Sequence, residues 1–347
     1  MTKYKSVTAT KRGGPEVLQV IENELRPPRV REARIKVLAA GIGRKDVVYR
    51  YGASPLAPRP PFVPGYEILG VVDAVGEGVT DVATGDRVAA LTGSGGYAEF
   101  IYLGAEHLVP MPATLDPAEA VTLVLNYVTA YQMLHRTAQV KAGDKALMIG
   151  ASGGVGTALL ELGRLAGLTL YGTASQGKHH VLTELGAVPI DYRTQDFVDV
   201  IRKAEPTSLD FVFNGMGAEY SSRALAVLHR GGKLVEYAPP ASFSGLLFGL
   251  VKLAWLNLLP NGKSAAFYGI SALYARDKRP FKEDLPKLCK LLEERRIRSI
   301  VAARFPILEA AQANALLESG AVTGNVVLLA PELSEGHQGN RSSQEQR

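Results

Sequence analysis

Lys145-Ala146-Leu147-Met148-Ile149-Gly150-Ala151-Ser152-Gly153-Gly154-Val155-Gly156-Thr157 is the stretch on which the reading of this chain turns. Ala146 to Ile149 is a continuous apolar run that reads as a buried strand. Glycines then crowd the next positions, and Leu159, Leu162 and Leu165 follow at helical spacing, so a helix is expected over 157–166. Glycine permits a tight turn and close backbone approach, while a helix start offers N–H groups to a diphosphate. An isolated glycine cluster is by default a structural turn. The flanking strand and helix favour a dinucleotide site made by Gly150, Ser152, Gly153, Gly154, Val155 and Gly156.

Outward from this turn, apolar strands alternate with helical segments. A strand over 169–173, a helix over 178–185 ended by Gly186, and a strand over 188–191 follow. Strands over 209–213, 233–237 and 265–268 complete six candidates. That alternation predicts an α/β fold with a doubly wound parallel sheet. Residues up to about 125 read differently, as short β-branched runs between Gly- and Pro-rich turns, the texture of a β-rich domain. Beyond Arg276 come an amphipathic helix with Leu285, Leu288, Leu291 and Leu292, a strand over 299–305, a helix over 308–319 and a strand over 326–329. Residues 333–347 are polar and aperiodic, and disorder is expected there.

The chain has 347 residues, 46% hydrophobic and 21% charged, enough for two globular domains. A single cysteine, Cys289, excludes an internal disulfide framework and a thiolate metal cluster. The net charge of +5 is scattered, so no nucleic-acid partner is expected. Met1-Thr2-Lys3-Tyr4-Lys5 leads straight into strand-like sequence without a secretory core, which with the lone cysteine predicts a cytoplasmic protein. No run reaches the roughly 18–20 apolar residues that span a bilayer. The nearest approach, 243–259, is interrupted by Lys252 and Asn257 and closed by Pro260.

The end of the second strand selects the cofactor. An NAD site usually has Asp or Glu about 20 residues after the glycines to accept from the ribose 2′-hydroxyl. Here the sequence is Tyr171-Gly172-Thr173-Ala174-Ser175-Gln176-Gly177-Lys178, with no acid. Ser175 and Lys178, aided by His179, suit a 2′-phosphate instead, and NADP(H) is expected. The competing reading makes Lys178, His179 and His180 only the solvated start of a helix.

These residues and a series of motifs in order resemble the zinc-independent quinone-oxidoreductase (zeta-crystallin-like) branch of the medium-chain dehydrogenase/reductase superfamily. The motifs include Gly13-Gly14-Pro15-Glu16-Val17-Leu18, Ala40-Gly41-Ile42-Gly43-Arg44-Lys45-Asp46 and Pro64-Gly65-Tyr66-Glu67. Gly85-Asp86-Arg87-Val88, Gly95-Gly96-Tyr97-Ala98-Glu99, Thr129-Ala130-Tyr131, Asp191-Tyr192-Arg193 and Gly231-Gly232-Lys233 continue the series. The resemblance covers roughly residues 5–330. It implies a GroES-like substrate domain from 1–125 and 275–332, and a Rossmann domain over 126–274 carrying the apolar insertion 243–259. It also implies an active site in the cleft between the two domains, and a homodimer formed by Rossmann edge strands.

The resemblance also assigns roles. Zinc-dependent relatives carry metal ligands where this chain has Gly43, Tyr66 and Leu125, none of which binds zinc, and His107, His135 and His229 stand isolated. No metal is expected. Tyr66 at a former ligand position, with Tyr49 and Tyr51, forms the candidate catalytic set, water being the alternative proton source. Arg44 is expected at the pyrophosphate, Thr129 near the nicotinamide amide, Tyr192 beside the adenosine phosphate, and Asn214 and Gly215 at the nicotinamide half. Asp46 and Glu67 read as structural.

The expected activity is NADPH-dependent, metal-free hydride transfer to a hydrophobic quinone or α,β-unsaturated carbonyl compound. A 2-enoyl-thioester reductase is the alternative enzyme. A different class of reading is an NADPH-binding, membrane-peripheral protein with little catalysis. The segment 243–259 reads as core, as a lid over the substrate, or as the surface of a weak membrane contact.

Overall fold

The computed structural model describes residues 2–238, 243–258 and 260–338. Contacts divide the chain into two compact units, Asn126–Asp277 and Met1–Leu125 with Lys278–Arg347.

In the unit Asn126–Asp277, the predicted apolar runs become six strands of one parallel sheet. Their spatial order is Ala187–Asp191, Thr169–Ala174, Lys145–Ile149, Leu209–Asn214, Leu228–Glu236, Ser264–Phe267. Numbered along the chain, that order is 3-2-1-4-5-6, the doubly wound arrangement. It reverses between Lys145–Ile149 and Leu209–Asn214, which pair directly. Such sheets bind ligands beyond the carboxyl ends of the strands at this switch point. Leu147, Ile149, Val212 and Leu234 pack there with Ile201 and Leu256 from the covering helices.

The helix after the glycine turn runs Gly154–Leu165, starting three residues earlier than the sequence indicated. Its first turn, Gly154-Val155-Gly156, carries no apolar periodicity to reveal it. Pro117–Thr122 and Val128–Gln132 are helices that the sequence reading did not give. Most of their side chains are buried, so apolar residues occur all round and no amphipathic stripe appears.

In the other unit a seven-stranded sheet holds the chain's two ends together. Asn325–Leu329 lies between Val301–Pro306, in parallel, and Glu32–Ile42, antiparallel. Glu67–Val75, Arg87–Leu91 and Val109–Pro110 extend the sheet, while Phe100–Gly104 also pairs with Glu32–Ile42. Lys3–Ala9 and Leu18–Glu24 form a separate antiparallel pair. Val7, Ile35, Ile68, Ile307 and Val326 share its core. Directly after Glu32–Ile42 comes the helix Arg44–Tyr51, ended by Gly52 in the left-handed region at φ 70°. The helix Arg279–Glu293 buries Leu285, Leu288 and Leu292, as its spacing predicted.

One expectation is corrected. Disorder was expected from 333, yet Pro331–Gln338 is a helix, with the Leu333 N–H donating to Ala330 O at 2.9 Å. Glu332 pairs with Lys36 at 2.6 Å, and proline suits a first helical position. Polar composition without periodicity gave no sign of this element beyond its proline start. Residues 339–347 of the expected tail, and residue 259 of the apolar segment, lie outside the described residues.

Candidate active site

The turn between Lys145–Ile149 and Gly154–Leu165 is held by its neighbours. Gly150 adopts φ 85°, and its N–H donates to Thr173 Oγ1 at 3.0 Å. Ala151 N–H donates to Thr173 O at 3.1 Å, pinning the turn to the second strand. A Cβ on Gly156 would sit 2.5 Å from Gly150 O and 2.6 Å from Ala151 C, so only glycine fits. Gly153 is the reverse case, since its Cβ would meet only Gly150 O, at 3.9 Å. Gly153 caps the helix without a side-chain hydrogen bond, and Ser152, Gly154 and Val155 are partly exposed beside it. A closely packed back and an open front suit the turn to a diphosphate lying against its amides.

Ser175 directly follows the second strand, at the start of the 3-10 turn Gln176–Lys178. Burial lowers the Lys178 pKa, with Tyr192 and Arg193 near enough to act on it electrostatically. Arg193 stacks over the ring of Tyr192, its carbon Cζ 5.8 Å from the centroid. Among the described residues Arg193 forms no ion pair. Sequence reasoning assigned Tyr192 and passed over Arg193, although it is the next residue. His179 Nε2 lies 3.3 Å from Ala174 O, which turns that ring onto the strand end.

At the fourth strand, Asn214, expected at the nicotinamide half, has its side chain turned into the protein as a brace. Its side chain is 0% exposed. Nδ2 donates to Gly217 O at 2.7 Å and to Glu236 at 2.9 Å, and Oδ1 accepts from the Met216 N–H at 3.0 Å. Ser221 also donates to Glu236, whose pKa burial raises. Together they fix the loop in which Met216 is exposed, while Gly215 packs against the Tyr237 ring. Met216 Sδ lies 3.0 Å from the Cβ position of Gly150, which ties this loop to the glycine turn. Nothing in the sequence pointed to Met216. Thr129, on the helix Val128–Gln132, is buried and its Oγ1 has no hydrogen-bond partner. A buried hydroxyl without a partner costs about 1–3 kcal/mol, a penalty that a ligand amide would relieve.

The other unit collects the catalytic candidates on the helix Arg44–Tyr51 and at the start of Glu67–Val75. Tyr49 and Tyr66 are buried and meet edge to face, with centroids 6.0 Å apart. Burial raises the Tyr49 pKa above its ordinary value, making it a poor phenolate. Tyr51 is not part of this group. It is exposed, and its hydroxyl donates to Glu318 Oε2 at 3.1 Å, because two residues along a helix turn a side chain to the opposite side. The structure therefore does not bring Tyr51 together with Tyr49 and Tyr66. The Arg44 side chain is exposed and makes no hydrogen bond or ion pair among the described residues.

Asp46 accepts from the N–H groups of Gly43 at 2.9 Å and Gly65 at 3.0 Å, and burial pushes its pKa up to about 6. Glu67 accepts from the Leu125 N–H at 2.6 Å, and burial lifts it well above the carboxylate range. Both carboxyls hold backbone in place. The Cβ position of Gly43 lies 3.7 Å from Leu125 Cδ2, so these two residues stand next to each other and neither offers a metal donor. Among the described residues there is no group of three or more His, Cys, Asp or Glu arranged to hold a metal. Cys289 is buried, its thiol pushed up to about 12.

The apolar segment forms the helix Phe243–Leu258. Leu253 and Leu256 pack into the sheet core, and Asn257 Nδ2 donates to Ala265 O at 2.9 Å. Leu247, Val251, Trp255 and Leu258 are 57%, 60%, 58% and 81% exposed. Their spacing places them along one face. The core reading therefore holds for one side of this helix only. No helix of the described residues is long and apolar enough to cross a membrane.

Comparison with known proteins bears on these features. A family model described as alcohol dehydrogenase GroES-like domain matches residues 29–113, and one described as zinc-binding dehydrogenase matches 185–328. Quinone oxidoreductase of Sus scrofa is 30% identical over 330 residues, covering 93% of this chain and 97% of that protein. The synaptic vesicle membrane protein VAT-1 homolog of Danio rerio is 34% identical over 245 residues, 70% of this chain. That match spans only about half of the relative's length, 51%. The crystal structure of Escherichia coli quinone oxidoreductase complexed with NADPH superposes with a TM-score of 0.84 and 27% identity, covering 94% of this chain and 99% of that one. The human VAT-1 homolog-like protein gives a TM-score of 0.83 at 25% identity, covering 95% and 99%. The doubly wound sheet, the β-rich unit closed by the C-terminal strand, and a near full-length match at 30% identity agree: this chain belongs to the quinone-oxidoreductase branch of the medium-chain dehydrogenase/reductase superfamily.

Proposed function

We propose that this protein is a metal-free oxidoreductase that binds NADPH at the turn 150–156 and delivers its hydride to a quinone or an α,β-unsaturated carbonyl compound. The observation that carries the reading is the cradle at Gly156, where backbone leaves no room for a Cβ while Gly153 stays open. The unpartnered Thr129 hydroxyl adds a second point suited to the nicotinamide amide. Lys178, Ser175, Tyr192 and Arg193 supply cations and a hydroxyl for the 2′-phosphate, and no acid replaces Ser175 after the strand. The family resemblance alone carries Arg44. Gly43, Tyr66 and Leu125 offer no metal donor set, which supports polarisation by hydrogen bonds instead. The named relatives support quinones as substrates, and the Escherichia coli neighbour supports NADPH. Assembly as a homodimer would use the sheet's rim strand Ser264–Phe267.

The test is NADPH consumption by purified protein across quinones, enones and 2-enoyl thioesters, the last separating the enoyl-thioester reductase alternative. Lys178→Glu is expected to raise the KM for NADPH by roughly 30-fold or more while leaving NADH within about threefold, since it sets a charge against the 2′-phosphate. Equal effects on the two cofactors would remove the 2′-phosphate assignment.

A second reading has its own observation, the exposed face of Leu247, Val251, Trp255 and Leu258. Such a face suits shallow contact with a lipid surface. Wild-type protein is then expected to sediment with anionic vesicles, and Leu247→Asp to stay in the supernatant. Identical partitioning of the two proteins would dismiss the contact.

A further inference from the structure

Of the methionines among the described residues, Met111, Met133 and Met148 are buried, whereas Met216 is 44% exposed. Oxidation of a thioether follows its exposure, so a peroxide reaches Met216 before the others. Cys289 does not compete, because its buried thiol, pushed up to about 12, leaves almost no thiolate to react. Met216 also touches the glycine turn. Its Sδ and Cγ lie 3.0 and 3.2 Å from the Cβ position of Gly150. The backbone around it is fixed. Asn214 accepts from the Met216 N–H at 3.0 Å and donates to Gly217 O at 2.7 Å, which holds both sides of the residue. The Gly215 N–H donates to Ile149 O at 3.2 Å and joins the loop to the strand end directly before Gly150. All of these groups belong to the unit Asn126–Asp277. The thioether is the compliant part of a contact whose two backbones are tied together.

We infer that Met216 is an oxidation site through which hydroperoxides weaken NADPH binding at the turn 150–156. The inference rests on the cofactor reading above and adds a regulation of that same site. In the step, a sulfur lone pair attacks the terminal oxygen of the hydroperoxide, so an S–O bond forms as the O–O bond breaks. The leaving oxygen takes the proton carried by the transferred one. The thioether is thereby oxidised by two electrons to a sulfoxide, and the hydroperoxide is reduced to water or an alcohol. The product replaces an apolar side chain by a polar one, and reductases can reverse the change. With its backbone held, the oxidised side chain either presses its oxygen on the turn or leaves Gly150 for water. Pressed there, the sulfoxide oxygen is an acceptor that competes with the diphosphate for the turn's N–H groups. A diphosphate already lying on the turn shields the sulfur, so loaded protein resists the oxidant.

Peptide mass mapping and fluorescence titration on the full chain test this. Limited hydrogen peroxide is expected to add one oxygen to Met216 on the order of tenfold faster than to Met111, Met133 or Met148. Saturating NADP⁺ is expected to slow that addition at least about threefold. Protein oxidised at Met216 is expected to bind NADPH at least about tenfold more weakly, with its melting temperature little changed, and methionine sulfoxide reductases to restore the affinity. Met216→Leu, compared with its own untreated affinity, is expected to change less than about twofold after the same treatment. Four outcomes each overturn the role of Met216 alone: equal oxidation of all these methionines, oxidation indifferent to NADP⁺, an affinity that survives complete oxidation of Met216, and a Met216→Leu protein as peroxide-sensitive as wild type. An untreated wild type that binds no NADPH overturns the cofactor reading, and this inference with it.

Discussion

Gly156→Ala is expected to lose about 10²-fold or more in NADPH affinity. The added methyl would sit 2.5 Å from Gly150 O and 2.6 Å from Ala151 C and O, all of them backbone atoms. No flexible side chain can yield there, so the turn or the helix start must move. Gly150 and Ala151 are tied to Thr173, so that displacement is resisted by the second strand. Overpacking of this kind costs about 1–3 kcal/mol, and a misplacement of about 1 Å at a binding group is worth up to about 10²-fold. Gly177→Ala is the matched control, because its Cβ would meet nothing within 4 Å, and its affinity is expected within about twofold of wild type. Fluorescence titration with NADPH and a melting curve of the unliganded protein separate lost binding from lost folding. Wild-type affinity in a folded Gly156→Ala protein would place the diphosphate elsewhere.

The second large effect concerns Arg50, whose side chain is 0% exposed. Its guanidinium donates to Gly13 O and to Glu318, and the hydroxyl of Tyr51 completes the carboxylate's partners. Arg50 Nε has no acceptor, so Glu318 is the charge that makes this burial tolerable. Glu318→Ala is therefore expected to destabilise the protein by about 3–5 kcal/mol, because a buried cation loses its partner. A fall in melting temperature on the order of 10 °C follows for a chain of this size. Replacing both partners, Arg50→Met with Glu318→Met, is expected to recover most of the loss, since an apolar pair needs no compensation. Calorimetry decides, and a single-variant loss under about 1 kcal/mol would show that water reaches the cation. The pair joins the helix Arg44–Tyr51 to the helix Ala310–Glu318 across 268 positions of sequence. It therefore also sets the helix that carries Tyr49.

Sequence alone determined the parts of this protein that depend on near neighbours. The strand Lys145–Ile149, the turn after it and the parallel alternation were legible because apolar runs, glycine conformation and helix starts are local properties. The missing acid after the second strand, and a lone cysteine, were equally plain. Only the tertiary structure decided which polar groups remain available. Asn214 and Met216 stand two positions apart in sequence, yet one is fully enclosed and the other exposed. Tyr49 and Tyr51 share a helix, but Tyr66 and Lys45 gather around the first while Glu318 takes the second. The helix Phe243–Leu258 carries apolar residues on every side, so composition could not show which face the sheet would cover. The physical reason is the same in each case: hydrogen bonds and desolvation are settled by separations in space, and residues far apart in the chain supply the partners.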